Sequence, residues 1–192
     1  MDILNLTYTD LSNICIIKTP RFRRSLSNSC QDGLYNFYTG GNIKQKSNFN
    51  DIQYMTILLN RHKNSNNIFI DENCSCSNNY LLLNLINNNS FNLKFIYYYI
   101  KLLINFEPLY RGAIIQNLYS NSIRTIQIPI IDYNHQLEIA NILDEYFSIF
   151  NIDEVKINNF NNILFNILLN REYERLYVIR NNTRLYIHTT YI

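Results

Sequence analysis

From Leu137 to Leu168 apolar residues return at intervals of three and four, through Leu137, Ala140, Leu143, Phe147 and Phe150 and then Phe160, Ile163, Leu164, Ile167 and Leu168. That is the period of a helix with one apolar face. It predicts a long helix over 134–175, with a break at most near Asn151 to Asp153. A helix of this length placed after a complete domain has little of its own chain to pack against. Its stripe is therefore expected to seek another helix, as in a coiled coil; folding back onto the domain is the alternative.

The preceding residues are patterned differently. Leu11 to Lys18 is apolar and partly alternating, ends at Thr19-Pro20, and reads as a strand. The turn signal Asp32-Gly33 opens an aromatic strand, Leu34 to Tyr38, stopped by Gly40-Gly41. Short strands are expected at Tyr54 to Leu59, Asn67 to Ile70 and Asn79 to Leu85. Phe95, Ile96, Tyr99, Ile100, Leu103 and Phe106 then recur at helical spacing, with Ser90 or Asn92 as N-cap and Pro108 beyond the end. In Ile123 to Ile131, Ile126, Ile128 and Ile130 alternate with Thr125, Gln127 and Pro129, which reads as a strand; Pro129 marks an edge or an end. The expected fold is α/β of the α+β kind, a mixed or antiparallel sheet with a packed helix over 1–133, followed by the long spacer helix. Residues 176–192 form a tail without an assigned role.

The 192 residues accommodate one domain and an appendage. No run of about eighteen apolar residues occurs, and the N-terminus lacks a signal-peptide pattern, so a cytoplasmic protein with no membrane partner is expected. Net charge is only +2, but residues 1–70 hold eight Lys or Arg against four Asp or Glu, while 135–192 hold five against seven. The front half is thus the candidate for an anionic partner.

Chemistry of its own finds little support. Neither a phosphate-cradling Gly-x-x-x-x-Gly-Lys nor a Gly-x-Gly-x-x-Gly occurs. Cys74 and Cys76 would share one side of a strand, yet His62 is the nearest histidine and no second cysteine pair exists. Buried structural thiols are favoured over zinc. Cys15 and Cys30 complete a set too small and irregular for a disulfide framework. No spacing supports His135 as a base for either, and no catalytic residue, metal or cofactor is implied.

Three patches in order resemble the target-recognition domain of the specificity subunits of type I restriction-modification systems. Gly33-Leu-Tyr-Asn-Phe-Tyr-Thr-Gly-Gly41 is similar to the family's Gly-x-Tyr-Pro-Phe-Tyr-Thr-Gly pattern, with Asn36 in the place of Pro. Cys74-Ser-Cys-Ser-Asn-Asn-Tyr-Leu-Leu-Leu, then Leu93-Lys-Phe-Ile-Tyr-Tyr-Tyr-Ile, resembles its strand and Tyr-Tyr helix. Arg111-Gly-Ala-Ile-Ile-Gln-Asn-Leu, Ile126-Gln-Ile-Pro-Ile and Gln136-Leu-Glu-Ile-Ala-Asn-Ile-Leu-Asp144 resemble the passage into the spacer helix.

The resemblance implies sequence-specific binding of double-stranded DNA through loops and a sheet edge. Thr39, Gly40, Gly41 and Asn42 suit close approach to base edges, Asn42 facing adenine. Arg23, Lys44, Lys46, Arg61 and Lys63, with Arg21 and Arg24, suit phosphates, and Arg111 with Gln116 suits guanine or a phosphate. Tyr35, Tyr38 and Tyr97 to Tyr99 are expected in packing rather than on bases. Complete subunits of the family carry two recognition domains, and no internal repeat occurs here. The implied protein is a non-catalytic half-subunit that dimerises through its helix and directs a methyltransferase and a restriction subunit. The competing reading is a diverged protein-interaction module.

Overall fold

A computed structural model of the chain describes residues 7–40, 44–63, 68–87 and 89–150. In chain order these form β1 (Tyr8–Asp10), α1 (Leu11–Ile14), β2 (Cys15–Lys18), β3 (Tyr35–Tyr38), β4 (Lys44–Ser47), β5 (Thr56–Asn60), β6 (Ile68–Asp71), β7 (Cys74–Cys76), β8 (Tyr80–Leu85), α2 (Leu93–Leu103), α3 (Ser120–Ile123), β9 (Gln127–Pro129) and α4 (Tyr133–Phe150). No described helix is long and apolar enough to cross a membrane.

The central element is an antiparallel sheet in the order β2-β8-β5-β6. Every residue of β5 is buried, as an apolar run covered on both faces requires. On one face Leu58, Leu82 and Tyr80 join Tyr38, Ile52, Cys74 and Cys76 in a single cluster, with Phe69 packed against it. Tyr38 and Cys76 come from a second sheet, β4-β3-β7, in which β3 pairs antiparallel with β4 and parallel with β7. Alternation sends Ile57, Leu59, Leu81 and Leu83 to the other face, where α2 lies against β5 and β6. The sheet is therefore mixed in one part and antiparallel in the other.

Several predicted elements are shorter in the structure. Leu11 to Lys18 divides: Leu11–Ile14 makes a helical turn that buries Leu11 and Ile14 together, and only Cys15–Lys18 is extended. The turn is held from outside, since Leu11 and Ser12 donate their amides to the carbonyls of Ile126 and Arg124, at 2.8 and 3.1 Å. Ile123 to Ile131 keeps a strand only over β9, whose partner is β1. Pro129 sits at the end of that two-stranded ribbon, where its missing N–H costs no ladder bond. Neither β1 nor β4 is apolar enough to be marked by the sequence. Asn92 caps α2, accepting from the Phe95 amide at 3.1 Å, and α2 stops at Leu103.

In its described part the C-terminal helix does not stand free. Ile139, Ala140 and Leu143 are buried, and α4 packs on α2. The Phe147 and Tyr98 rings stack, with centroids 5.5 Å apart, and Asp144 accepts from Lys94 and from the Tyr98 hydroxyl. Of the described stripe, Leu137 remains 40% exposed. The expectation that the stripe is left for another polypeptide is thus corrected over 133–148: α2 supplies the apolar face it needs. The remainder, 151–175, and the tail lie outside the described residues.

Gln136 joins the two helix starts. Fully buried, it accepts from the Asn92 amide at 2.8 Å and donates to the carbonyls of Ser90 and Ile131, at 3.1 and 2.8 Å. Gln136→Leu would remove three hydrogen bonds made by a buried carboxamide to the backbone. It is expected to destabilise the fold by roughly 3 kcal/mol, read as a lower urea midpoint with an unchanged slope.

Candidate nucleic-acid interface

The polar ends of β5, β3 and β7 meet at one edge of the molecule. β5 closes on Asn60, whose buried carboxamide donates to the Gly40 carbonyl at 3.5 Å and accepts from the His62 amide at 3.0 Å. The Arg61 amide donates to the Asn79 carbonyl at 2.8 Å, fixing the segment after β5 to the turn between β7 and β8. The Tyr80 hydroxyl donates to the Thr39 carbonyl at 2.6 Å. Thr39 and Gly40 are thereby held beside residues 60–63.

A third segment docks on the same edge. Arg111 and Asn117 exchange backbone hydrogen bonds of 3.0 and 2.9 Å and so close a small hairpin. Gly112 takes a φ of +118° there, and a Cβ would overlap the Ile115 carbonyl oxygen; only glycine suits both demands. The hairpin is bound to residues 61–63 by Leu118 N to Arg61 O at 2.7 Å and Lys63 N to Gln116 O at 3.3 Å. Arg61 reinforces the joint with its side chain: Nε donates to the Leu118 carbonyl at 3.1 Å and Nη1 to that of Asn78 at 3.5 Å. Its guanidinium also lies 5.5 Å from the centre of the Tyr119 ring.

Of the residues singled out in the sequence, Thr39, Gly40, Arg61, Lys63, Arg111 and Gln116 are brought together. Gly41 and Asn42 lie outside the described residues, as does the Lys44 side chain. A parallel bridge from Arg24 to Ser77 carries the basic segment containing Arg23 alongside the same turn, and Arg23 is exposed. Lys46 stands apart on β4, opposite Asn36 and donating to its side chain at 3.1 Å. Asn36 and Tyr38 in turn donate to Asp71, at 2.7 and 2.6 Å.

The guanidiniums of three arginines make contacts within the fold. Arg24 forms a bidentate pair with Asp51, at 2.8 and 2.9 Å, and covers the Phe49 ring at 3.7 Å. Arg61 is the brace just described. Nη1 of Arg111 donates to the carbonyls of Pro108 and Tyr110, at 2.6 and 2.9 Å. A guanidinium carries five donors in a fixed fork, and where loop carbonyls converge it satisfies them before meeting a partner. Lys63 pairs with Glu107 at 2.7 Å on the surface, a contact weak enough to exchange for another anion. The sequence reading missed Asn60, Asn78 and Asn79; the Asn-Asn pair between two apolar strands was the available turn signal.

The edge is nearly free of acid. No Asp or Glu occurs in residues 39–50, 60–70, 73–106 or 108–131, so Glu107 is the one acidic residue among the segments that build it. Cys74 and Cys76 take no part, being buried in the core cluster, where burial pushes the Cys76 thiol far up. Burial likewise moves Cys15 from 9.0 to about 12. The described residues hold no group of three potential metal ligands. Tyr38, Tyr97 and Tyr98 are core residues, as expected.

If Arg61 is the brace, Arg61→Ala should loosen the hairpin without unfolding the sheets. Amide exchange at Asn117 and Leu118 is expected to quicken about tenfold or more, the factor for roughly 1.4 kcal/mol of local stability, while amides in β5 and β8 keep their protection.

The sequence profile of the type I restriction modification DNA specificity domain matches residues 5–161. None of the curated proteins matches the chain. Among solved structures, the S subunit of a type I restriction-modification system from M. genitalium superposes with a TM-score of 0.63 at 23% identity, covering 75% of this chain and 39% of that one. A chain from a structure describing complex assembly and conformational transition of the type I R-M system gives 0.52 at 13% identity, covering 83% and 40%. The fold is shared with both, and the chain spans about two-fifths of the length of each. With the profile running from before β1 to beyond α4, the chain belongs to the family of type I restriction modification DNA specificity domains.

Proposed function

We propose that this chain binds double-stranded DNA sequence-specifically as the specificity half-subunit of a type I restriction-modification-like system. Residues 1–133 form the recognition domain, and the helix over 134–175 joins it to a second copy. The chain carries no catalysis of its own; it directs a methyltransferase and a restriction subunit to their site in the cytoplasm. The observation that carries the reading is the convergence of Thr39-Gly40, Asn60 to Lys63 and Arg111 to Leu118 on an edge whose segments hold one acid, Glu107. Such an edge suits a polyanion. Arg23, Lys44 and Lys63 are assigned to phosphates, with Lys46 on the flank. Thr39, Gly40, Gly41, Asn42 and Gln116 are assigned to base edges, with Arg61 and Arg111 holding the loops that present them. Dimerisation is assigned to the helix over 134–175, where Leu137 of the described stripe is left 40% exposed.

One observation favours the diverged interaction module instead: the guanidiniums of Arg24, Arg61 and Arg111 are all engaged inside the fold. Binding of the full chain to duplex DNA over a range of salt, followed by selection from a random duplex pool, separates the two. On the DNA reading, log K falls linearly with log salt by about 0.9 per phosphate met, and Arg23→Ala or Lys63→Ala lowers that slope by about 1 without altering the selected sequence. Gln116→Ala relaxes one position of the site instead. Absence of binding even at low salt contradicts the DNA reading and supports the interaction module. Sedimentation equilibrium at high concentration should find a dimer; a monomer contradicts the half-subunit arrangement.

A further inference from the structure

The hairpin closed by Arg111 and Asn117 carries two adjacent isoleucines that the domain does not cover. Ile114 is 96% exposed and Ile115 65%, although the reciprocal Arg111–Asn117 bonds and the positive φ of Gly112 hold the backbone beneath them in a tight turn. Apolar side chains on a braced ribbon are available for a surface outside the chain. Elsewhere exposed Leu34 stands singly and Tyr54 is followed by the less exposed Met55; the isoleucine pair sits beside Gln116, on the edge assigned to DNA.

The surroundings select the partner. No acid occurs from Pro108 to Ile131, and Glu107, just before the hairpin, is paired with Lys63, so little negative charge opposes the approach of a polyanion. The loop is closed by a single backbone bridge, and its tip is narrower than the α-helix that the major groove admits. On the floor of that groove the apolar group offered by a base pair is the C5-methyl of thymine, whose paired adenine presents a donor and an acceptor that suit a carboxamide. Ile114, Ile115 and the exposed Gln116 supply complementary groups in three consecutive residues. We infer that Ile114 and Ile115 are specificity-determining residues that contact thymine methyl groups, so that the half-site holds an A·T pair where the hairpin tip enters. The inference rests on duplex binding by this edge and adds to it which base the tip reads.

Removing the methyl groups tests it. A site is first selected from a random duplex pool with the full chain, and each thymine of that site is then replaced singly by deoxyuridine. Loss of one contacted methyl is expected to weaken binding about fourfold, the factor for about 0.8 kcal/mol, at one or two adjacent positions. The double variant Ile114→Ser, Ile115→Ser, which alters only exposed side chains, should still bind the site and lose that sensitivity. Equal affinity for every deoxyuridine form, or a double variant as sensitive as the parent chain, overturns the inference while duplex binding stands. A variant that keeps its sensitivity to deoxyuridine but no longer associates with a methyltransferase subunit makes the tip a protein contact and overturns it too. Failure to select any site removes the DNA reading and this inference with it.

Discussion

β5 must be covered on both faces, and the rest of the domain is arranged around that demand. Thr56 to Asn60 are all buried, which requires a neighbour along each edge and a layer above and below. β8 and β6 provide the edges. α2 provides one layer, and the aromatic and thiol side chains of the second sheet provide the other. Each fully buried Leu or Ile in such a layer contributes roughly 2 kcal/mol, so the register of β5 cannot slip without exposing a whole face. Because the strand cannot slide, the point at which the chain leaves it is fixed. That point is Asn60, and the loops gathered at the candidate interface are tied directly or indirectly to it.

The edge built there separates two tasks often given to the same residue type. Arginines furnish several donors in a rigid plane, and here that property serves the loops: Arg61 joins the hairpin to the turn after β7, and Arg24 locks the basic segment to Asp51. What remains outward is a lysine in a surface ion pair, the exposed Arg23 and Arg111, a carboxamide and two isoleucines. A loop whose carbonyls are already satisfied meets a partner with little ordering left to do, which favours discrimination over indiscriminate electrostatic attraction.

At the other side of α2 polar contacts, one of them made by a fully buried side chain, link helix to helix. Gln136 satisfies the backbone at the start of α2 and at the approach to α4, while Asp144 receives Lys94 and the Tyr98 hydroxyl. A hydrogen bond to a buried group is expensive to lose, so the polar pairs specify how α4 lies on α2 while Ile139, Ala140 and Leu143 supply apolar contact.

Local chemistry determined much of this in the sequence. The helical periods of α2 and the start of α4, the cap at Asn92, the aromatic strand before Gly40-Gly41 and the burial of Cys74 and Cys76 all follow from side chains near in the chain, because periodicity and turn propensity are short-range properties. The order of three motifs was enough to reveal the family resemblance. Tertiary structure alone decided the rest. Tyr8–Asp10 becomes a strand only because β9 lies beside it, and Leu11–Ile14 turns because its amides meet Ile126 and Arg124. Lys46 and Lys63 look alike as cations in the sequence, yet one falls on a strand flank and the other on the loop edge. Arg24 and Arg61 look like free positive charge until the fold sets a carboxylate or loop carbonyls within reach, a matter of distance between residues remote in the chain that no local pattern encodes.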